Sequence, residues 1–245
     1  MSSVKNHLFP VETYFKSSIV LTYAIPKEEL QHLIPECLTL DTFEDKYAFI
    51  AIALVDTKNL RPKGFPAFLG NDFFLIGCRI FVRYTNNDGR KLRGLYILKS
   101  ETNKNKMSVL GNIFTHYKYT TTDIDIKKDQ NKTVILSKKS EIEIEIKSSN
   151  TEVSLPNNSP FKEWKEARRF AGPLPFTFSC NKQNKEVLII EGVRENWIPK
   201  PVEVIKNKVG FIDQFNFKSV VLANAFMIEN IPYHWKKGKT EIWKS

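Results

Sequence analysis

The stretch of sequence that decides the fold runs from Phe73 to Glu101 and reads FFLIGCRIFVRYTNNDGRKLRGLYILKSE. It contains two runs rich in β-forming residues, Phe73–Tyr84 and Leu92–Glu101, which flank the short sequence TNNDG. Asn, Asp and Gly accept the left-handed backbone that tight turns require. The stretch therefore predicts a β-hairpin.

Period-two alternation divides each run of this hairpin between two faces. In the first run one face is almost entirely apolar, with Phe74, Ile76, Cys78, Ile80, Val82 and Tyr84. The other face mixes apolar bulk with arginine, with Phe73, Leu75, Gly77, Arg79, Phe81 and Arg83. In the second run, alternation places Leu95, Ile97, Lys99 and Glu101 opposite Gly94, Tyr96, Leu98 and Ser100. If both mixed faces line one cavity, Arg79, Lys99 and Glu101 meet there, and this is the central site hypothesis.

Composition and charge exclude several classes of protein. A chain of 245 residues with 42% apolar content buries the core of one large domain or two small ones. The net charge is +10, but the basic residues are dispersed, and the densest stretch, 162–169 around Trp164, is typical of a solvated helix face. We therefore expect no nucleic-acid partner.

The cysteines and the apolar runs indicate the cellular setting. Cys37, Cys78 and Cys180 are few and far apart in the sequence, so neither a disulfide framework nor a zinc site is expected. The longest apolar run, Tyr47–Val55, is too short to cross a bilayer, and no signal-peptide pattern is present. We expect a cytoplasmic protein with no membrane partner and no cofactor.

The rest of the chain is predicted to be mostly β with short helices inserted. A helix begins at Pro26 after a strand, Met107–Thr121 forms at least one more strand, and a second helix is capped by Ser159 and stopped by Gly172. Glu141, Glu143 and Glu145 alternate with isoleucines, which is typical of solvated residues on a strand rather than a metal site. The loop around Gly64–Phe68 either covers a cavity or simply connects two strands.

Several short motifs resemble a known family. The segment Tyr23–Leu38 reads YAIPKEELQHLIPECL and is similar to the start of the acetoacetate decarboxylase-like superfamily. The hairpin segments CRIFV (78–82) and GLYIL (94–98) resemble the YqjF-like branch, the uncharacterised DUF2071 family. ENWIP (195–199) and PYHW (232–235) stand where that branch has segments rich in Trp and Pro.

The resemblance implies a mainly β (α+β) fold: an antiparallel sheet closed into a cone or barrel around a central cavity, with a few short covering helices. It implies one such domain over residues 1–245. Decarboxylases of this fold attack a β-keto acid with a lysine that has a lowered pKa. Here the matching register has Ser100 at the reactive lysine, Lys99 at a proline, Gly94 at a glutamate and Ala24 at an arginine.

These departures leave enzyme activity open and favour ligand binding. We expect the cavity to bind a small organic acid or carbonyl compound, with Arg79 as the anion partner and Tyr96, Lys99 and Glu101 as further ligand-binding residues. One alternative is a divergent lyase that uses Lys99 as its catalytic amine; the other is a non-catalytic interaction protein whose cavity is plugged by its own side chains. Each of these residues also has a structural interpretation. Lys99 pairs with Glu101 in one of them, and Arg79 forms a structural ion pair in the other. A homo-oligomer is compatible with each of these functions.

Overall fold

The computed structural model of the chain describes residues 7–115, 117–148 and 152–243. The fold is mainly β, as the sequence predicts. Its strands are β1 (Val11–Pro26), β2 (Thr39–Leu40), β3 (Tyr47–Pro62), β4 (Asn71–Thr85), β5 (Lys91–Thr102), β6 (Tyr119–Thr121), β7 (Asp125–Lys128), β8 (Lys132–Ser137), β9 (Ile142–Lys147), β10 (Phe176–Asn181), β11 (Glu186–Arg194), β12 (Lys200–Pro201), β13 (Glu203–Val209), β14 (Val221–Trp235) and β15 (Lys239–Ile242). The α-helices are α1 (Lys27–Leu30), α2 (Asn105–Phe114), α3 (Trp164–Ala171) and α4 (Gly210–Asp213).

The larger sheet closes on itself as a ring. Its strands follow the order β14-β1-β3-β4-β5-β10-β11, and β11 then pairs with β14. Neighbouring strands of the ring are antiparallel except β5 and β10, which pair in parallel from Phe176 opposite Gly94 to Phe178 opposite Tyr96. A Cβ atom at Gly94 would lie 2.5 Å from the carbonyl oxygen of Phe176, so only glycine permits this approach.

The two faces of the ring have different surroundings. The face that carries Ile52, Ile80 and Phe178 packs against a second, antiparallel sheet with the order β13-β9-β8-β7, and forms the main hydrophobic core with Ile144. The other face is covered at one end by α3, where Phe49, Phe81 and Phe161 form a smaller aromatic cluster. The rest of that face surrounds a cavity.

The predicted faces of the first hairpin strand are confirmed. All six residues of its apolar face, Phe74, Ile76, Cys78, Ile80, Val82 and Tyr84, belong to the main core. On the second sheet, the glutamates before and within β9 lie beside lysines: Glu145 pairs with Lys132, Glu143 with Lys206 and Glu141 with Lys208. No described helix is long and apolar enough to span a membrane.

Two predicted elements are wrong in type or position. Most of the strand predicted within Met107–Thr121 is the helix α2, and only β6 at its end is a strand. The helical spacing of Met107, Leu110 and Gly111 turns one side of α2 to the cavity, and this tertiary packing outweighs local β propensity. The second helix, α3, begins at Trp164 rather than after Ser159, whose hydroxyl instead donates to the Ala223 carbonyl at 2.7 Å.

One buried carboxylate holds several elements of the ring together. Asp41 is fully buried, and its two oxygens accept hydrogen bonds from Nε of Arg83 and Nε of Arg93, both at 2.6 Å. Nη2 of Arg93 also donates to the carbonyl of Phe170 in α3 at 2.9 Å. The cluster therefore joins β4, β5, α3 and the segment that follows β2 by charge-assisted hydrogen bonds.

We expect Asp41→Asn to lower the free energy of unfolding by about 2–4 kcal/mol, because it removes the anion from two guanidinium groups around a buried site. Chemical denaturation measures the change. The matched control is Asp45→Asn, whose exposed carboxylate pairs with Lys27 at 2.7 Å and should cost less than about 1 kcal/mol. Equal losses in the two variants would contradict this role for Asp41.

Candidate functional site

A β-bulge in β5 determines which side chains reach the cavity. Cys78 lies opposite Lys99, but the next residue of β4, Arg79, lies opposite Ile97, so Leu98 is an extra residue. Such a residue reverses the alternation of the strand on either side of it. Leu95 and Ile97 therefore share the cavity face with Arg79, whereas Lys99 and Glu101 lie on the opposite face.

The structure does not bring Lys99, Glu101 or Tyr96 to Arg79. Nζ of Lys99 lies 2.9 Å from Oε1 of Glu101, and the same oxygen accepts a hydrogen bond from the Ser140 hydroxyl at 2.7 Å. Tyr96 lies opposite Ile80 and packs against the main core. The physical reason is the bulge, because a regular strand would have placed Lys99 and Glu101 on the same face as Ile97.

The cavity has a volume of about 280 Å³ and is lined by residues from every strand of the ring. Its walls are mostly apolar, with Val20, Ala51, Val55, Phe73, Leu75, Phe81, Leu95, Ile97, Leu110, Leu174 and Phe226. Arg61 and Pro62 at the end of β3 line the cavity, but no residue of the loop Gly64–Phe68, which was expected to cover it, is among the described lining residues, and Phe65 and Phe68 lie largely exposed. Small-molecule sites share this combination of an apolar wall and a few polar groups.

Arg79 is the central polar group of the cavity. Its guanidinium folds back over Gly77, where an added Cβ atom would lie 3.0 Å from Nε. That Nε is buried and has no hydrogen-bond partner among the described residues. No aspartate or glutamate is found among the described residues that line the cavity. Arg79 is partly buried, and removing part of a cation from water without an anion is costly unless a partner is supplied.

Three tyrosines lie within electrostatic range of Arg79. Burial raises the pKa of Tyr119 to about 12, and the charge of Arg79 only partly offsets this effect. Burial likewise raises the pKa of Tyr117 and of Tyr233, against the same opposing charge. All three phenols therefore remain protonated at neutral pH and present hydroxyl donors rather than phenolate partners.

Further polar atoms of the cavity wall have no partner among the described residues. They are Oγ1 of Thr57, Nε1 of Trp197 and Nδ1 of His7. Burial lowers the pKa of His7, which favours the neutral ring. Arg194 is held differently: it donates to the Pro173 carbonyl at 2.8 Å and lies over the Trp197 ring at 4.7 Å.

The sequence contained a signal for part of this wall. The segments ENWIP and PYHW, noted only for their resemblance to a family, supply Trp197, Tyr233 and Trp235 to the cavity. Ser100, which stands at the position of the reactive lysine in that resemblance, also lines it. No lysine is present among the described lining residues, so the amine required for an imine is missing from them.

Comparison with known proteins agrees with this architecture. The family model of DUF2071, an uncharacterized conserved protein, matches residues 14–225. The fold is similar to acetoacetate decarboxylase from Legionella pneumophila, with a TM-score of 0.60 and 11% identity over 96% of this chain and 88% of that one. An acetoacetate decarboxylase-like enzyme from Sphingomonas wittichii gives a TM-score of 0.59 and 8% identity over 96% and 93% of the two chains.

A third similar structure is the enduracididine biosynthesis enzyme MppR in complex with pyruvate. It gives a TM-score of 0.55 and 7% identity over 97% of this chain and 92% of that one. At these identities the similarity shows a shared fold. The comparison with curated proteins found no match.

The position of Lys99 predicts a structural effect when it is replaced. We expect Lys99→Met to lower the free energy of unfolding by about 2 kcal/mol, because it leaves the buried carboxylate of Glu101 without its cation. Adding Glu101→Gln should recover part of this loss, and denaturation of the single and double variants gives the coupling energy.

The control for Lys99 is Lys132→Met, which removes an ion pair with Glu145 at the surface and should cost less than about 1 kcal/mol. A Lys99→Met protein as stable as the wild type would contradict the assignment of Lys99 to a structural pair.

Proposed function

We propose that this chain, which belongs to the DUF2071 family of uncharacterized conserved proteins, binds a small organic acid or carbonyl compound in its cavity. Arg79 holds the anionic group of the ligand. The apolar wall encloses the remainder, and the neutral donors around Arg79 bind its carbonyl or hydroxyl oxygens.

The observation that carries this proposal is that Arg79 has no anion among the described residues of the cavity wall. Three other arginines have an anion: Arg83 and Arg93 bind Asp41, and Arg61 lies 2.8 Å from Glu12. Arg194 also has no anion among the described residues, but it donates to the Pro173 carbonyl and lies over the Trp197 ring. Arg79 instead lies near phenols that stay protonated, and its own Nε–H group has no hydrogen-bond partner among the described residues. A ligand carboxylate would supply the missing charge and accept hydrogen bonds from the planar guanidinium in a bidentate manner.

The unpartnered polar groups of the cavity wall favour an oxygen-rich ligand. The indole N–H of Trp197 and the hydroxyl of Thr57 are buried and unpartnered, and both can donate to a carbonyl oxygen. Unsatisfied donors in an apolar site discriminate strongly in favour of ligands that pair with them. The pyruvate bound by MppR, on a similar fold, belongs to the same chemical class.

The two alternatives drawn from the sequence have less support. A lyase that uses Lys99 needs that amine in the cavity, but Lys99 pairs with Glu101 on the opposite face of the sheet. An imine trapped on Lys99 by borohydride would favour the lyase. An interaction protein with a plugged cavity conflicts with an open volume of about 280 Å³. We place the binding function in the cytoplasm.

We expect wild-type protein to bind small carboxylates such as pyruvate, acetoacetate or benzoate in isothermal titration calorimetry, and Arg79→Met to weaken binding at least about tenfold. The loss follows from removing the charge-assisted hydrogen bonds to the carboxylate. Pyruvamide, which lacks the charge, should bind weakly to both proteins.

Arg90→Met is the matched control, because it removes the same charge from an exposed turn and should leave affinity unchanged. Gly77→Ala provides a second variant: its methyl group displaces the guanidinium of Arg79 without removing the charge, so binding should weaken while the unfolding midpoint is maintained. Carboxylate affinity that is equal in wild type and Arg79→Met, or absent in wild type, would reject the proposal.

A further inference from the structure

Two cysteines that are far apart in the sequence lie side by side in the structure. Cys37 follows the short helical turn Gln31–Leu33, and Cys180 lies in β10. Their sulfur atoms are 3.1 Å apart, although 143 positions separate them in the chain. Both side chains are partly exposed. Both are free thiols in the structure, and sequence spacing alone did not indicate that they would lie together.

We propose that Cys37 and Cys180 form a redox-active dithiol, which a hydroperoxide or a low-molecular-weight disulfide oxidises to an intramolecular disulfide. The site lies on the face of the sheet opposite the cavity, where both residues pack against the main core. It is therefore separate from Arg79, and the proposal does not depend on ligand binding.

Backbone contacts hold each of the two cysteines in its position. Cys180 is held in the ladder of β10 and β11 opposite Val187. Cys37 lies in a turn closed by a 3.0 Å hydrogen bond from the Leu38 amide to the Pro35 carbonyl. A disulfide requires an S–S distance of about 2.0 Å, so the sulfurs need to approach by only about 1 Å.

The electrostatic surroundings distinguish the two sulfurs. The hydrogen bond between Cys37 and Cys180 lowers the pKa of Cys37, and the nearby charge of Lys182 acts in the same direction, against burial and the charge of Glu36. The same pairing and burial raise the pKa of Cys180. The position of Cys37 in a turn beside Lys182, in contrast to Cys180 held in the β10–β11 ladder, favours Cys37 as the nucleophile and Cys180 as the resolving thiol. The third cysteine, Cys78, is fully enclosed, and burial raises its pKa, so it is inert.

The chemistry balances with hydrogen peroxide as the oxidant. The Cys37 thiolate attacks one peroxide oxygen, the O–O bond breaks, and the products are a Cys37 sulfenic acid and hydroxide. The Cys180 sulfur then attacks the Cys37 sulfur, the S–OH bond breaks, and water leaves as the disulfide forms. The two thiols lose two electrons in total, and the peroxide gains them. A dithiol reductant reverses the change.

The first test uses the full-length native protein with hydrogen peroxide, followed by alkylation of the remaining thiols and peptide mapping. We expect a Cys37–Cys180 cross-linked peptide that disappears after dithiothreitol, in wild type and equally in Cys78→Ser. Wild-type protein that yields only sulfinic acid, intermolecular dimers or unmodified thiols would overturn the proposal. Because this test uses the wild-type protein, its result does not depend on whether any variant folds.

The roles of the two cysteines are tested separately by single variants. Cys180→Ser should accumulate a sulfenic acid that dimedone traps, because the resolving thiol is missing. Cys37→Ser should react with peroxide at least about tenfold more slowly than wild type, because it lacks the more acidic thiol. Equal rates in wild type and Cys37→Ser would reject Cys37 as the nucleophile.

Discussion

The extra residue Leu98 in β5 is the constraint that gives the two sides of this sheet their different chemistry. Because it reverses the alternation of the strand, it leaves Ile97 on the cavity face and turns Lys99 and Glu101 to the other face. The cavity face of β5 thus carries neither Lys99 nor Glu101, and Arg79 lies there among apolar side chains and phenols, with Arg61 and Arg194 elsewhere on the cavity wall. The opposite face keeps a closed ion pair that extends through Ser140 toward the second sheet.

The structural sites differ from the candidate functional site in whether their charged groups have partners of opposite charge within the chain. Asp41 has two guanidinium partners, and Glu101 has Lys99 and a serine hydroxyl. Glu241, also buried, accepts a hydrogen bond from the Asn87 amide and pairs with Lys239 at 2.8 Å. Each of these charges is compensated within the chain. Arg79 differs because its described neighbours supply neutral donors, and this difference points to a ligand.

The sequence was sufficient to predict the fold and one of the central side chains. Strict alternation in β4 assigned Arg79 to the mixed face and six apolar residues to the core, because a regular strand has a fixed period. The same rule of alternation assigned Lys99 and Glu101 to the wrong face of β5, because the hydrophobic pattern of the sequence does not reveal a β-bulge. It also failed for α2, where packing against the cavity outweighed local propensity.

Contacts between distant segments were beyond the reach of sequence patterns. Trp197 and Tyr233 reach the cavity only because β11 and β14 close the ring, although their segments had been noted for their composition. Cys37 and Cys180 meet because the turn after α1 packs near β10, and no local spacing encodes that. In both cases the fold itself, rather than a motif, brings the chemistry together.

The most direct test of the account is a crystal structure of the wild-type protein grown with pyruvate. The account predicts a ligand in the cavity whose carboxylate oxygens lie about 3 Å from the guanidinium of Arg79, with Lys99 still paired to Glu101 on the other face. A cavity that holds only water, or a ligand bound elsewhere while Arg79 contacts a carboxylate of the protein, would contradict it.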